Sequence, residues 1–357
     1  MKGHGFNMQT KVITIQEENF SKEQLKEAGE IIKQGGLVAF PTETVYGLGG
    51  DALNAGSSEK IYAAKGRPSD NPLIVHIADW ESIYKIVKNI PENAKKLADV
   101  FWPGPLTMIF EKSDVVPYET TGGLDTVAVR MPSHKVARAF IEASGGYVAA
   151  PSANISGRPS PTLAKYVAED MDGRIEMIID GGDIGIGLES TIVDVTMDPP
   201  MVLRPGYVTA QMVKDVVGDV TNDITMMEVV KDVAPKAPGM KYRHYAPKGD
   251  LTIVTGDTEK VIAYINEQVA QQKALGKKTG VIATKETVSR YHADAVKNVG
   301  SRKEEESIAK GLYKVLREFD DEEVEVMYTE SFEAAGIGQA IMNRLLKAAG
   351  HKVVTLS

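Results

Sequence analysis

Seven short apolar runs in the first 200 residues constrain this chain more than any other feature. They are Leu37–Phe40, Leu73–Ile77, Leu106–Phe110, Val127–Met131, Tyr147–Ala150, Ile175–Ile179 and Ile192–Val195. Each is four or five residues long, a length that suits a buried strand and is too short for a helix. Stretches with helical spacing lie between and before them: Lys22–Gln34, Ser57–Lys65, Pro91–Phe101, His134–Ser144 and Leu163–Met171. The alternation predicts an α/β fold with helices flanking a large twisted sheet. The connections vary too much for a regular parallel order, so a mixed sheet is expected.

The pattern breaks at residues 235–249, which hold three prolines and two glycines. Such a segment does not continue a helix or a central strand, and it reads as a linker. Beyond it, strand candidates Leu251–Thr255, Thr279–Ala283 and Val324–Tyr328 alternate with helix candidates Val261–Lys273, Ser307–Glu318 and Gly338–Ala349. The expected organisation is a domain over 10–234, a linker over 235–249 and a smaller α/β domain over 250–357. Residues 1–9 are expected to form a loose tail.

The 357 residues include no cysteine, which removes disulfides, thiolate nucleophiles and cysteine zinc sites. No run approaches the 18 apolar residues of a membrane span, and Met1–Met8 lacks the apolar core of a leader. A cytoplasmic chain is the expectation, with no membrane partner. Charge is uneven: residues 1–234 carry 22 basic against 32 acidic side chains, a net −10, whereas 235–249 carries +4 from Lys236, Lys241, Arg243 and Lys248. A general nucleic-acid binder needs a broad basic footprint, so any RNA contact must be local. The P-loop, the G-x-S-x-G elbow and the H-E-x-x-H zinc motif are absent. Gly336-Ile337-Gly338 lacks a third glycine for a dinucleotide fingerprint and reads as a helix-entry turn.

Several blocks carry chemistry. Pro41-Thr42-Glu43-Thr44-Val45-Tyr46-Gly47-Leu48-Gly49-Gly50-Asp51 follows a strand; it is either a glycine-rich turn or a loop whose backbone approaches a ligand. In Lys65-Gly66-Arg67-Pro68-Ser69-Asp70-Asn71-Pro72, Gly66 fits the residue past a helix end, with Ser57 or Ser58 as the N-cap. Lys65 then complements the helix dipole or contacts an anion. Arg67, stiffened between Gly66 and Pro68, suits bidentate binding of phosphate or carboxylate. His76 sits in an apolar strand, where structural histidines are common. The loop Ala150–Thr162 is rich in hydroxyls and prolines, and suits either phosphate oxygens or solvent. Arg130 ends a strand and Arg204 precedes a proline. Four cations, Lys65, Arg67, Arg130 and Arg204, thus stand at element ends in an acidic domain. If they converge, the local positive pocket favours a small polyanion such as a nucleotide.

Taken in order, Pro41–Gly49, Lys65–Leu73, Val127–Pro132, Ala150–Gly157, Glu189–Asp194, Leu203–Gly206 and Pro238–Pro247 resemble the threonylcarbamoyl-AMP synthases, the YrdC-type family, in their long two-domain form. The resemblance implies a YrdC-like sheet domain with a Rossmann-like C-terminal domain. It also implies a reaction, in which L-threonine, bicarbonate and ATP give threonylcarbamoyl-AMP and pyrophosphate. A downstream threonylcarbamoyl-transferase complex then modifies tRNA beside the anticodon. Carried over by position, Thr44, His76, Arg130, Ala150 and Ser190 surround L-threonine. Lys65, Arg67, Asn71, Thr126, Ser152, Asn154, Ser160, Arg204 and Tyr245 surround ATP, with Lys65 and Arg67 as the catalytic cations.

Mg²⁺ is expected through the ATP phosphates; Glu43, Asp51 and Glu189 are the nearby acids, and none is singled out as a ligand. The basic linker is expected to fold back over the site with Tyr242 or Tyr245 near the nucleotide, against the alternative of a solvated tether. A tRNA-binding or double-stranded-RNA-binding module without chemistry is the competing function, disfavoured by the acidic balance. A carbamoyl-transfer enzyme with another acceptor ranks below it, because the cysteine-bearing segments of such relatives are missing.

Overall fold

The computed structural model describes residues 8–223 and 244–357. Most of the linker, with Tyr242, lies outside the described residues, as does most of the expected N-terminal tail. Contacts divide the chain into two compact units, and the second gathers Gly157–Ser160 and Ile186–Leu188 together with the C-terminal chain.

The first unit is built on one eleven-stranded sheet. Its strands are β1 (Lys11–Thr14), β2 (Val38–Phe40), β3 (Gly47–Asp51), β4 (Ile74–His76), β5 (Leu106–Glu111), β6 (Thr126–Arg130), β7 (Val148–Ala149), β8 (Met177–Asp180), β9 (Thr191–Asp194), β10 (Met201–Arg204) and β11 (Thr221–Asn222). The order is β1-β8-β2-β3-β7-β4-β6-β5-β9-β10-β11. Parallel pairs such as β4/β6 and β5/β9 alternate with antiparallel pairs such as β5/β6 and β4/β7, so the sheet is mixed, as expected.

Side chains one step apart on a strand point to opposite faces. On one face Val75, Met108, Val129 and Val193 join the main core with Ile61 of helix Ala55–Lys65, Leu97 of Glu92–Phe101 and Val167 of Ala164–Met171. On the other, Val38, Phe40 and Val148 pack with Ile32 of helix Lys26–Lys33 and Phe140 of Lys135–Ala143. Further along this second face, Ile74, Ile109, Ala128, Ile192 and Leu203 form a small cluster of strand residues alone. That cluster floors the site described below.

The glycine-rich block is a strand. Gly47–Asp51 pairs with β2 as Phe40↔Gly47 and Val38↔Gly49, and with β7 as Gly50↔Ala149. A Cβ on Gly49 would lie 2.9 Å from Val148 Cγ1 and 3.1 Å from the Phe40 ring, so the small residue lets Phe40 lie across its neighbour strand. The helix ending at Lys65 also starts earlier than expected. Its N-cap is Asn54, whose side chain accepts from Gly56 N; Ser57 and Ser58 are buried within the helix. At its end the chain does pass through Gly66 in the left-handed region, φ 62°.

The second unit carries a five-stranded sheet: β12 (Asp250–Thr255), β13 (Thr279–Ala283), β14 (Ala295–Asn298), β15 (Val326–Glu330) and β16 (Val353–Thr355), in the order β14-β13-β15-β12-β16. Every pair is parallel, which agrees with a Rossmann-like domain. Helices Thr258–Ala274, Glu305–Asp321 and Ile337–Ala348 connect the strands, and Gly336 forms the entry turn of the last, φ 56°.

Helices Lys26–Lys33 and Lys135–Ala143 meet at Gly29, where a Cβ would lie 2.4 Å from the Ala143 carbonyl oxygen. Gly29→Ala is expected to destabilise the first unit by about 1–3 kcal/mol through overpacking. A urea titration checks this; an unchanged midpoint would show that the two helices are not in fixed contact.

Candidate active site

Strand register assembles the site. Following Cα partners across the sheet from β7 to β10 gives one continuous row: Val148, His76, Arg130, Thr107, Ile192 and Arg204. Partners opposite one another stand on the same face. A shift of register between Val202 and Arg204 completes the row. Such a bulge re-aims a side chain beside a functional site: Leu203 joins the apolar floor, while Arg204 turns to Ser190, its Nε donating to the Ser190 carbonyl at 3.0 Å and Nη2 to the hydroxyl at 3.2 Å. The Ser190 and Thr107 hydroxyls are 2.7 Å apart.

Arg130 is the centre of the row. It is 4 % exposed. Nη2 lies 2.6 Å from Glu43 Oε1, Nη1 donates to Thr44 Oγ1 at 2.9 Å, and Nε donates to the Gly104 carbonyl at 3.4 Å. Burial alone would raise the Glu43 carboxyl; the Arg130 guanidinium outweighs it and holds the group below the usual carboxylate range. His76 is lowered as well, to about 3, by burial and then by the Arg130 charge. It is neutral at physiological pH. Its Nδ1 lies 3.0 Å from the Ile74 carbonyl. The Phe40 ring meets the imidazole edge to face at 6.0 Å.

A second group adjoins through β7. Ala150 N donates to the Ile74 carbonyl, and the chain runs on into Pro151–Asn154. Lys65 Nζ donates to the Ser152 carbonyl and, at 2.7 Å, to the Asn154 carbonyl. Arg67 Nη2 donates to the carbonyls of Asn71 and Pro72 at 2.9 and 3.2 Å. Ser152 Oγ donates to Asn154 Oδ1. Carbonyl acceptors fix both cations in place without carrying a charge of their own.

The structure therefore brings Thr44, His76, Arg130, Ser190 and Arg204 into one neighbourhood, and Lys65, Ser152 and Asn154 into another, with Arg67 beside Asn71. Thr126 starts the strand that Arg130 ends and pairs with Glu111, about 13 Å from Arg130 along the strand. Ser160 and Tyr245 belong to the second unit. Tyr245 is buried there against the rings of His244 and Tyr313, at 4.6 and 5.4 Å. Glu43, noticed in the sequence merely as a nearby acid, is the counter-ion of Arg130. Thr107 was missed, although a threonine in an otherwise apolar strand was its signal. Among the described residues no group of three histidine or carboxylate side chains converges on a metal position, and no helix is long and apolar enough to cross a membrane.

A buried row that sets arginines and hydroxyls on one face of a mixed sheet is an array of fixed donors suited to a small, charged group. Comparison with known proteins narrows that class. The family model described as "Telomere recombination", Sua5_yciO_yrdC, matches residues 30–206, and the one described as "Threonylcarbamoyl-AMP synthase, C-terminal domain" matches 208–350. The chain is 49 % identical over 345 residues to the threonylcarbamoyl-AMP synthase of Pyrococcus abyssi, covering 97 % of this chain and 99 % of that one. It is 48 % identical over 332 residues to the enzyme of that name from Bacillus subtilis, covering 93 % and 94 %. The crystal structure of P. abyssi Sua5 complexed with L-threonine is similar with a TM-score of 0.93 at 48 % identity, covering 98 % of this chain and all of that one. The chain belongs to the threonylcarbamoyl-AMP synthase family.

The two titratable partners of Arg130 set an acid limit. His76 has a folded pKa below its unfolded value of about 6.5, so the unfolded chain binds the extra proton. Its contribution to stability is complete above pH 6.5 and declines as pH falls toward about 3. Glu43 acts in the same sense, from its ordinary 4.5 downward. Between pH 6 and 4, His76→Gln should lose stability less steeply than the parent, by about 1.4 kcal/mol per pH unit. Urea midpoints across that range check this, and parallel profiles would count against a buried neutral imidazole.

Proposed function

We propose that this protein makes L-threonylcarbamoyl-AMP from L-threonine, bicarbonate and ATP and releases pyrophosphate. The observation that carries the reading is the polar row His76, Arg130, Thr107 and Arg204, closed by Thr44 and Ser190, on one face of the sheet. Family membership and the L-threonine complex of the P. abyssi protein support it.

In this reading the amino-acid carboxylate takes the remaining N–H groups of Arg130, a geometry suited to a guanidinium. Thr44, His76, Ala150 and Ser190 line the rest of a small, partly polar pocket. The amine adds to bicarbonate and loses water to give the carbamate. A carbamate oxygen then forms a bond to the α-phosphorus of ATP while the bond to pyrophosphate breaks. No covalent enzyme nucleophile is needed; positioning and stabilisation of developing negative charge are what the protein supplies. Lys65 and Arg67 are assigned to the phosphates, with Asn71, Ser152, Asn154 and Arg204. Thr126, Ser160 and Tyr245 are assigned to the nucleotide. Mg²⁺ enters as part of the nucleotide substrate, keeping mostly water and phosphate oxygens as ligands; Glu43 is committed to Arg130, which argues against it as a metal ligand. The adenylate then passes to a transferase complex acting on tRNA in the cytoplasm, with any tRNA contact confined to a local basic patch.

Pyrophosphate release should require L-threonine and bicarbonate together with Mg–ATP. Release that ignores both would overturn the reading. Arg67→Ala should lower turnover by about 100-fold with the fold retained. Arg130→Ala should raise the KM for threonine by about 10–100-fold and leave that for ATP nearly unchanged. A rise for ATP alone would reverse the assignment of the two groups.

A further inference from the structure

The Thr44 hydroxyl has a fixed polarity, and Thr42 sets it. Both side chains are buried, and their hydroxyl oxygens lie 3.0 Å apart. A hydroxyl has one hydrogen to donate and two lone pairs to receive. The Thr42 hydrogen goes to the Val45 carbonyl, 2.6 Å away, a group that accepts and has no hydrogen to return. The backbone N–H groups of Thr44 and Val45 also donate to the Thr42 oxygen, at 3.2 and 3.3 Å. Toward Thr44 the Thr42 oxygen is thus an acceptor, and the Thr44 hydrogen points at it. From the other side, Arg130 Nη1 donates to Thr44 Oγ1, and a guanidinium has no acceptor to offer. Thr44 gives its hydrogen away from the pocket, receives one from Arg130, and keeps one lone pair.

We propose that Thr42 is a positioning residue that makes Thr44 a pure acceptor, so that the site selects an amino acid whose side chain brings a hydrogen-bond donor. The inference rests on the reading that this pocket takes L-threonine. The carboxylate there belongs to Arg130, and the amine must stay free to become the carbamate. The hydroxyl is the group left for Thr44. It gives its hydrogen to the remaining lone pair. A side chain of the same shape without that hydrogen would leave a buried acceptor unpaired, and sites built this way reject such analogues strongly.

The test compares L-threonine with its analogue of the same configuration that carries fluorine in place of the side-chain hydroxyl. Pyrophosphate release is followed for the full-length protein with Mg–ATP and bicarbonate. The analogue is expected to lose about 10–100-fold in kcat/KM. Thr42→Val, which keeps the shape and removes the acceptor, should raise the threonine KM about tenfold and narrow the discrimination against the analogue. The KM for ATP should not move, the Tm should fall because the Val45 carbonyl and the Thr44 and Val45 N–H groups lose a buried partner, and Thr42→Ser should restore the parent values. An analogue used as well as threonine by the parent protein overturns the inference, and that comparison stands even if Thr42→Val does not fold. A Thr42→Val protein whose KM rises alike for threonine and ATP also overturns it, because the effect would then be general. Release that needs no threonine overturns the proposed reaction and this inference together; threonine-dependent release with an indifferent analogue overturns this inference alone.

Discussion

The structure of the candidate site depends on one buried ion pair, Arg130 with Glu43 at 2.6 Å. Taking a guanidinium out of water costs several kcal/mol unless its charge and its N–H groups are answered. The fold answers them from two separate stretches of chain: Glu43 and Thr44 after β2, and Gly104 before β5. Removing any of these leaves an uncompensated group in the interior. The arrangement is therefore held more tightly than hydrogen-bond counting would suggest, and the loop Pro41–Tyr46 is tied over the sheet by it. Burial first, and the same charge second, keep the neighbouring imidazole neutral. One cation thus fixes a loop, contacts a hydroxyl and adds to the burial that keeps His76 neutral.

A sheet is a good frame for such a site because register places side chains without any loop having to be long. The row from Val148 to Arg204 draws on six neighbouring strands, and its floor is a set of strand residues. Six strands contribute one side chain each, so the spacing across the row follows from the distance between strands, about 4.8 Å. The bulge at Leu203 is the single departure from regular pairing in the row. It lets Leu203 stay in the apolar floor while Arg204 faces Ser190, two tasks that a regular strand would send to opposite faces.

Much of this was legible in the sequence, and the failures have physical causes. The apolar runs marked β2, β4 to β9 correctly because buried strands in a wide sheet have no polar face to hide them. Gly47–Asp51 was unreadable as a strand because three of its five residues are glycine, which carry no side-chain alternation. Their packing purpose appears when Phe40 is seen lying over them. Short edge strands such as β11, exposed on both residues, have no apolar signature at all. The early start of helix Ala55–Lys65 was missed because Asn54 and two serines compete as caps, and tertiary burial of Ser58 against Thr120 at 2.8 Å decided between them. His76 and Arg130 were each ambiguous alone. What relates them is register, His76↔Arg130, and register is a property of pairing that no single segment contains.

The Lys65-Gly66-Arg67 segment performs two structural tasks at once. A lysine at a helix end beside a left-handed glycine is explained by the helix alone. Yet the reversal at Gly66, with Arg67 N bonded back to the Tyr62 carbonyl, also releases the two side chains in different directions. Lys65 reaches the carbonyls of residues 152 and 154, and Arg67 those of 71 and 72. A helix continuing past Lys65 would carry position 67 around its axis by about 100° per residue and separate the pair from one of these loops. The cap is thus the device that lets one short segment brace two loops. Those loops carry Asn71, Ser152 and Asn154, the neutral groups that the proposed function assigns to the phosphates. The cations and the neutral groups form one structural unit for that reason: the geometry of the hydroxyls and amides is inherited from the bonds that Lys65 and Arg67 make to their backbone.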